Sequence, residues 1–243
     1  MRRVERSLAA LVLVSATLAS CSSSQAAGSV AWESVLAERA AGTAESYEPF
    51  PASLTSAMPS TRYLAGADPE ITLSHAVVTG QFVRWAKGTA MVWPEGADDA
   101  GTVVDWDAEA DTRTIYLKFE VDQVLDVREG TTVPTAPNTI TITIGVDGDE
   151  PAEAVAENLM IVGEGSSRIL FLRPGESGGW TISLDSALIG DVTANGSITM
   201  PVLEEAATED PEGALASIAI DATTLADIEA AASTDRDLEL SDG

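Results

Sequence analysis

The chain contains a single histidine, His75, and a single cysteine, Cys21. Chemistry that needs paired imidazoles or a disulfide is therefore excluded, and so is a zinc site of the Cys/His type. For nucleophilic catalysis the residue types left are a serine, that histidine and an acid. Ser177 lies in Gly175-Glu176-Ser177-Gly178-Gly179, a glycine-rich turn that would present a hydroxyl. A histidine must take the serine proton and an acid must fix its tautomer. His75, then Asp105 or Asp122, then Ser177 supply those types in chain order. The same stretch, Arg168 to Leu184, also reads as two strands joined by a Pro/Gly/Ser turn. His75, in Leu73-Ser74-His75-Ala76, reads as a strand-edge histidine accepting one hydrogen bond.

Oxygen ligands are the remaining metal candidates. Asp105, Asp107, Glu109 and Asp111 carry carboxylates at every second position, with Asp98-Asp99 before them and Asp147, Asp149 and Glu150 after. The spacing resembles the start of an EF-hand loop, which wraps Ca²⁺ in such oxygens. Ala110 and Tyr116 stand where that loop has its glycine and its last glutamate. A solvated acidic loop is the primary reading, no metal site is assigned, and a calcium-dependent wall-contact module is one alternative. The serine turn resembles the Gly-Asp-Ser-Gly-Gly turn of chymotrypsin-like proteases, with Glu176 for the aspartate. A secreted serine hydrolase using His75 and Ser177 is the other alternative. No P-loop is present, and Gly163-Glu164-Gly165 lacks the third glycine and following helix of a dinucleotide site. Trp85, Trp93, Trp106 and Trp180 suit the core and its rim better than a sugar-stacking face. Neither an enzyme nor a cofactor is expected.

Charge narrows the partners. Thirty-nine acidic residues face 13 basic ones, a net charge of −26, and the only lysines are Lys87 and Lys118. A surface of this kind repels phosphate backbones, so nucleic acid is excluded as a partner.

The N-terminus carries an address. Arg2, Arg3 and Arg6 precede an apolar run from Leu8 to Ala19, too short to span a bilayer and of signal-peptide form. Leu18-Ala19-Ser20-Cys21 resembles the lipobox of bacterial lipoproteins: an aliphatic residue, two small ones, then the lipid-bearing cysteine. The resemblance implies that residues 1–20 are removed and that Cys21 carries a diacylglycerol thioether at the mature N-terminus. Several acyl chains together anchor stably, since each buried CH₂ contributes roughly 0.8 kcal/mol. The expected location is the extracytoplasmic face of the cell membrane.

Residues 21–64 read as a lipid-anchored tether with a short helix from Ser29 to about Arg39. Residues 65–203 read as the β domain. Ala76 to Trp85 is a strand in which Gly80 marks a bulge or a close backbone approach. In Thr112 to Leu125, Ile115, Leu117, Phe119 and Val121 alternate with polar residues, and Thr139 to Val146 alternates isoleucine with threonine. Arg168 to Leu172 reads as a strand covered on both sides, followed by a strand at Trp180 to Leu184. Leu188 to Val192 and Ser197 to Leu203 flank Asn195-Gly196, a hairpin dipeptide in which both residues take positive φ. Shorter strands are expected at Ala90 to Trp93 and Thr102 to Trp106. Pro151 opens an inserted helix to about Met160. Residues 204–243 read as an acidic linker and a C-terminal helix, Leu225 to Ala232, capped by Thr224.

The succession His75-Ala-Val-Val, Tyr116-Leu-Lys-Phe, Thr139-Ile-Thr-Ile and Arg168-Ile-Leu-Phe resembles an OB-like domain of uncharacterised secreted proteins from high-GC Gram-positive bacteria. It covers about Ile71 to Pro201 and implies no activity. Where that family has an acidic residue before its first strand, this chain has His75. The fold expectation is mainly β: an antiparallel OB-like barrel, with a β-sandwich as alternative, one inserted and one C-terminal short helix. The function expected is a lipid-anchored extracytoplasmic binding or structural module of the cell envelope. Its partners are the membrane, through the anchor, and an envelope protein or glycan.

Overall fold

A computed structural model describes residues 31–46, 64–65, 74–93, 101–134, 139–175, 178–220 and 222–241. Among the described residues there are ten strands: β1 (Leu64–Ala65), β2 (Ala76–Val92), β3 (Thr102–Val104), β4 (Thr112–Val127), β5 (Thr139–Asp147), β6 (Ser167–Pro174), β7 (Trp180–Ile182), β8 (Ile189–Val192), β9 (Ile198–Thr199) and β10 (Ala219–Ile220). Four described α-helices accompany them: α1 (Trp32–Ser46), α2 (Ala152–Leu159), α3 (Pro201–Glu209) and α4 (Leu225–Ser241). The chain is mainly β, as its alternation predicts.

Eight strands form one sheet in the order β3-β2-β4-β5-β7-β6-β8-β9, and an additional β2–β6 pairing closes a ring of β2, β4, β5, β7 and β6. This is one sheet rather than the two packed sheets of the sandwich alternative. All ring pairings are antiparallel except β5–β7, which is parallel. Inside the ring, the residues predicted to alternate inward pair in register: Ile115 with Ile144, Leu117 with Ile142, Phe119 with Ile140. All six are buried, and the Phe82 and Phe119 rings meet edge-to-face with centroids 5.0 Å apart.

Gly80 serves both purposes its position suggested. The β2–β4 register shifts between Thr79 and Gly80. A Cβ on Gly80 would lie 2.0 Å from the backbone oxygen of Glu120. It pairs with Val121 on one side and Arg168 on the other, so the bulge is where one strand serves two neighbours.

The inserted helix α2 follows Pro151 and buries Ala152, Val155, Ala156 and Leu159, an i, i+3, i+4, i+7 stripe. Helix α4 starts as expected at Thr224, whose amide donates to Asp227 Oδ2 (2.9 Å) while Asp227 N–H reaches Thr224 Oγ1 (3.2 Å), a capping box. It continues to Ser241, beyond the expected end.

Several elements differ from expectation. The short tether helix is α1, three residues later at its start and longer. It packs into the core through Trp32, Val35, Leu36, Ala37 and Ala40. Arg39 fixes it, with Nη1 2.7 Å from Asp147 Oδ1 and Nε in ionic contact with Asp185 Oδ2 at 2.9 Å. The acidic linker begins with α3, where Pro201 sits in the first turn and Val202, Leu203 and Ala206 are buried. That start ends the strand predicted to reach Leu203. Ala90 to Val92 continues β2 rather than forming a separate strand. At the hairpin only Gly196 takes positive φ (+82°), with its amide bonded to Thr193 O (2.8 Å), so a three-residue loop replaces the two-residue turn. Finally, β7 stops at Ile182 because Leu184, Asp185 and Ser186 take φ of 54°, 44° and 78°. Left-handed non-glycine residues cost on the order of 1–3 kcal/mol each and persist only where the surroundings hold them.

Cys21 lies outside the described residues. Among the described residues no helix is long and apolar enough to cross a membrane.

Candidate functional site

The ring register carries the surface chemistry of the outer face. Because Leu117, Ile142 and Ile182 point inward, their neighbours point outward. Arg84 pairs with Lys118, and Lys118 with Thr141. One step along, Tyr116 pairs with Thr143, Thr143 with Thr181, and Thr181 with Arg173. The rows are hydrogen-bonded across strands: Lys118 Nζ donates to Thr141 Oγ1 (2.6 Å) and Arg173 Nε to Thr181 Oγ1 (3.2 Å). Tyr116 is 36% exposed beside them.

His75 continues this face at the seam where the ring closes. Its amide donates to Leu172 O (2.6 Å), one residue before Arg173, and its carbonyl accepts from the Arg128 amide (2.8 Å). Arg128 Nη1 lies 3.1 Å from His75 Nε2, so the guanidinium donates and the imidazole accepts, leaving the proton on Nδ1. Nδ1 is buried without a partner. Burial first, then the charges of Arg128 and Arg173, hold the His75 pKa below its usual 6.5.

A pH prediction follows from that direction. The unfolded chain takes up the imidazole proton near pH 6.5 while the folded chain resists it, so stability falls as pH drops through that value. Wild type should lose urea stability relative to His75→Gln between about pH 6.5 and 5, and match its slope above pH 7. Parallel curves throughout would remove His75 from the titration.

The triad expectation places Ser177 outside the described residues. His75 Nε2, the nitrogen a triad would use as base, faces an arginine rather than an acid or a hydroxyl.

The acidic loop is organised by side-chain cations. Lys87 Nζ lies 3.0 Å from both Asp107 Oδ1 and Glu153 Oε1, and 5.5 Å from the Trp106 ring. Arg113 reaches the carbonyls of Trp106 (3.1 Å), Ala108 (2.8 Å) and Gly148. The fold does bring the Asp147–Glu150 turn to the Asp105–Asp111 loop, as Gly148 N–H donates to Asp111 O (2.9 Å). Asp111 itself caps the Trp93 amide (2.5 Å). Among the described residues no three His, Cys, Asp or Glu side chains gather as a metal site. Trp85, Trp106 and Trp180 pack against the core, whereas Trp93 is 47% exposed.

The cations sort into two groups. Arg39, Lys87 and Arg168 pair with carboxylates, and Arg113 with carbonyls. Among the described residues, Arg84, Lys118, Arg128 and Arg173 have no carboxylate within ion-pair distance. All four belong to the outer face or its seam. Each was visible in the sequence singly; only the closed ring gathers them. The chain matches no protein-family model, no curated protein and no solved structure.

Proposed function

We propose that this protein is a lipid-anchored binding module of the cell envelope, held at the extracytoplasmic face through Cys21, with the outer face of the ring as its ligand surface. One observation carries the choice of face: in a chain of 39 acids and 13 bases, Arg84, Lys118, Arg128 and Arg173, the described cations held by neither a carboxylate nor a set of loop carbonyls, all lie there. Cations left without a carboxylate partner, though Glu120 and Asp122 share the outward side of β4, can pair with a partner that brings the opposite sign. The ring order β2-β4-β5-β7-β6, with α2 between β5 and β6, supports reading it as an OB-like barrel. Folds of that kind bind ligands across the second and third barrel strands. Here those are β4 and β5, which carry Tyr116, Lys118, Thr141 and Thr143.

The anchor and the face are tested together. Cys21→Ala should move the protein from the membrane fraction to the soluble fraction. In-cell crosslinking followed by mass spectrometry should recover an envelope partner with the anchored protein. That partner should be lost on Arg84→Gln/Lys118→Gln. Membrane retention without Cys21 would overturn the anchor, and crosslinks indifferent to the double substitution would overturn the face.

A further inference from the structure

We propose that Arg128 and Arg173 form a seat for one small tetrahedral oxyanion, of phosphate or sulfate type, at the seam beside His75. The inference rests on the reading of the outer face as the ligand surface and assigns the chemistry of one ligand group. Arg128, the first residue past β4, and Arg173 of β6 flank His75, which directly precedes β2, about 10 Å apart at two strand spacings. That distance is easily spanned by two long side chains closing on a common ion. Like charges so placed repel each other, and neither has a described carboxylate within ion-pair distance.

His75 is what keeps the seat open. Its single acceptor nitrogen orients Arg128 without cancelling its charge, as a carboxylate there would. The depressed His75 pKa agrees with a neutral ring between two arginines. Arg173 is exposed and, among the described residues, is steadied through Nε by Thr181, which leaves its Nη groups without a described partner. A tetrahedral oxyanion offers oxygens to both guanidinium forks, whereas a carboxylate fills one. A long polyanion is disfavoured, because its further charges would meet this acidic surface within a Debye length of about 8 Å. Phosphate can come free from solution or from a lipid headgroup.

The full chain, in micelles of a neutral detergent, is titrated with inorganic phosphate by calorimetry and separately with phosphatidylglycerol/phosphatidylcholine vesicles. Binding should weaken about tenfold on Arg173→Gln and again on Arg128→Gln, as expected for loss of a charge-assisted hydrogen bond, and be unchanged by Lys87→Gln at the acidic loop. The Arg173 side chain is exposed, so that variant keeps the test valid should Arg128→Gln misfold. Arginine-dependent binding in the vesicle arm alone would name a headgroup as the source. Absence of binding in both arms, or binding indifferent to both arginines, overturns the seat. Crosslinks that still depend on Arg84 and Lys118 would then show that the ligand face survives without it.

Discussion

Gly80→Val is expected to abolish cooperative folding, and Gly80→Ala to cost about 3 kcal/mol or more. The atom nearest an added Cβ is the Glu120 carbonyl oxygen at 2.0 Å, followed by a Phe119 ring carbon at 2.8 Å. The ring carbon could swing aside, but the carbonyl belongs to β4 and moves only if the strand does. Gly80 is also in register with Arg168 of β6, so moving β2 away from β4 disturbs the pairing that closes the ring. The obstacle is steric rather than conformational, since Gly80 does not take positive φ. A domain of this size is stable by about 5–15 kcal/mol, so a further branched carbon exhausts much of that margin. Urea unfolding followed by tryptophan fluorescence and near-ultraviolet dichroism would measure it. A Gly80→Val midpoint equal to wild type would mean that β2 and β4 separate there at no cost.

Arg168→Ala should be the next most damaging change, by about 3–5 kcal/mol. Its residue is 3% exposed, with Nη1 paired to Asp191 and Nη2 reaching the carbonyls of Ile161 (2.9 Å) and Leu159 (3.4 Å). The guanidinium lies 5.0 Å from the Trp32 ring, so one side chain joins β6, β8, the end of α2 and the start of α1. Truncation leaves two carbonyls without a donor and a void under Trp32. Arg168→Met restores the volume and should recover part of the loss. Asp191→Asn should cost less than Arg168→Ala, because the Asp191 side chain is 40% exposed and a cavity of about 350 Å³ beside it admits water. Thermal melts of the three variants give the order. Asp191→Asn more damaging than Arg168→Ala would place the energy in the ion pair instead of the carbonyls and packing.

The strands that were legible are those whose two faces meet different media. Ile115 to Val121 and Ile140 to Val146 alternate because one side fills the ring and the other meets solvent. Gly80 was legible because a glycine within β-branched residues has few other reasons to be there. Helix α1 is legible as a helix, but its packing into the core is not, because alanine does part of the burying: Ala37 and Ala40 look like tether composition until Trp32 and Leu36 are placed beside them. In α3 only Val202, Leu203 and Ala206 are buried among acids, too few positions to establish a period. The turn at Leu184–Ser186 left little trace, since only Asp185 among its residues readily enters the left-handed region. The cationic face was invisible for a different reason. Arg84, Lys118, Arg128 and Arg173 are distributed over 90 residues, and only the β5–β7 and β2–β6 pairings set them on the outside of one closed ring.

Helix α1 has a further consequence, in the order of assembly. Its partners come late: Ser34 donates to Glu205 across a separation of 171 residues, and Arg39 reaches Asp147 across 108. The two-residue strand β1 waits in the same way for Ile220 and Ala219. A 15-residue helix with so few apolar contacts of its own is marginal in water until that surface exists. The ring itself must first close β2 on β6, a slow step because the intervening loop is long. The first of the described helices is thus among the last to become ordered, and a ribosome-bound or threading chain presents residues 32–46 as an open segment until α3 has been made.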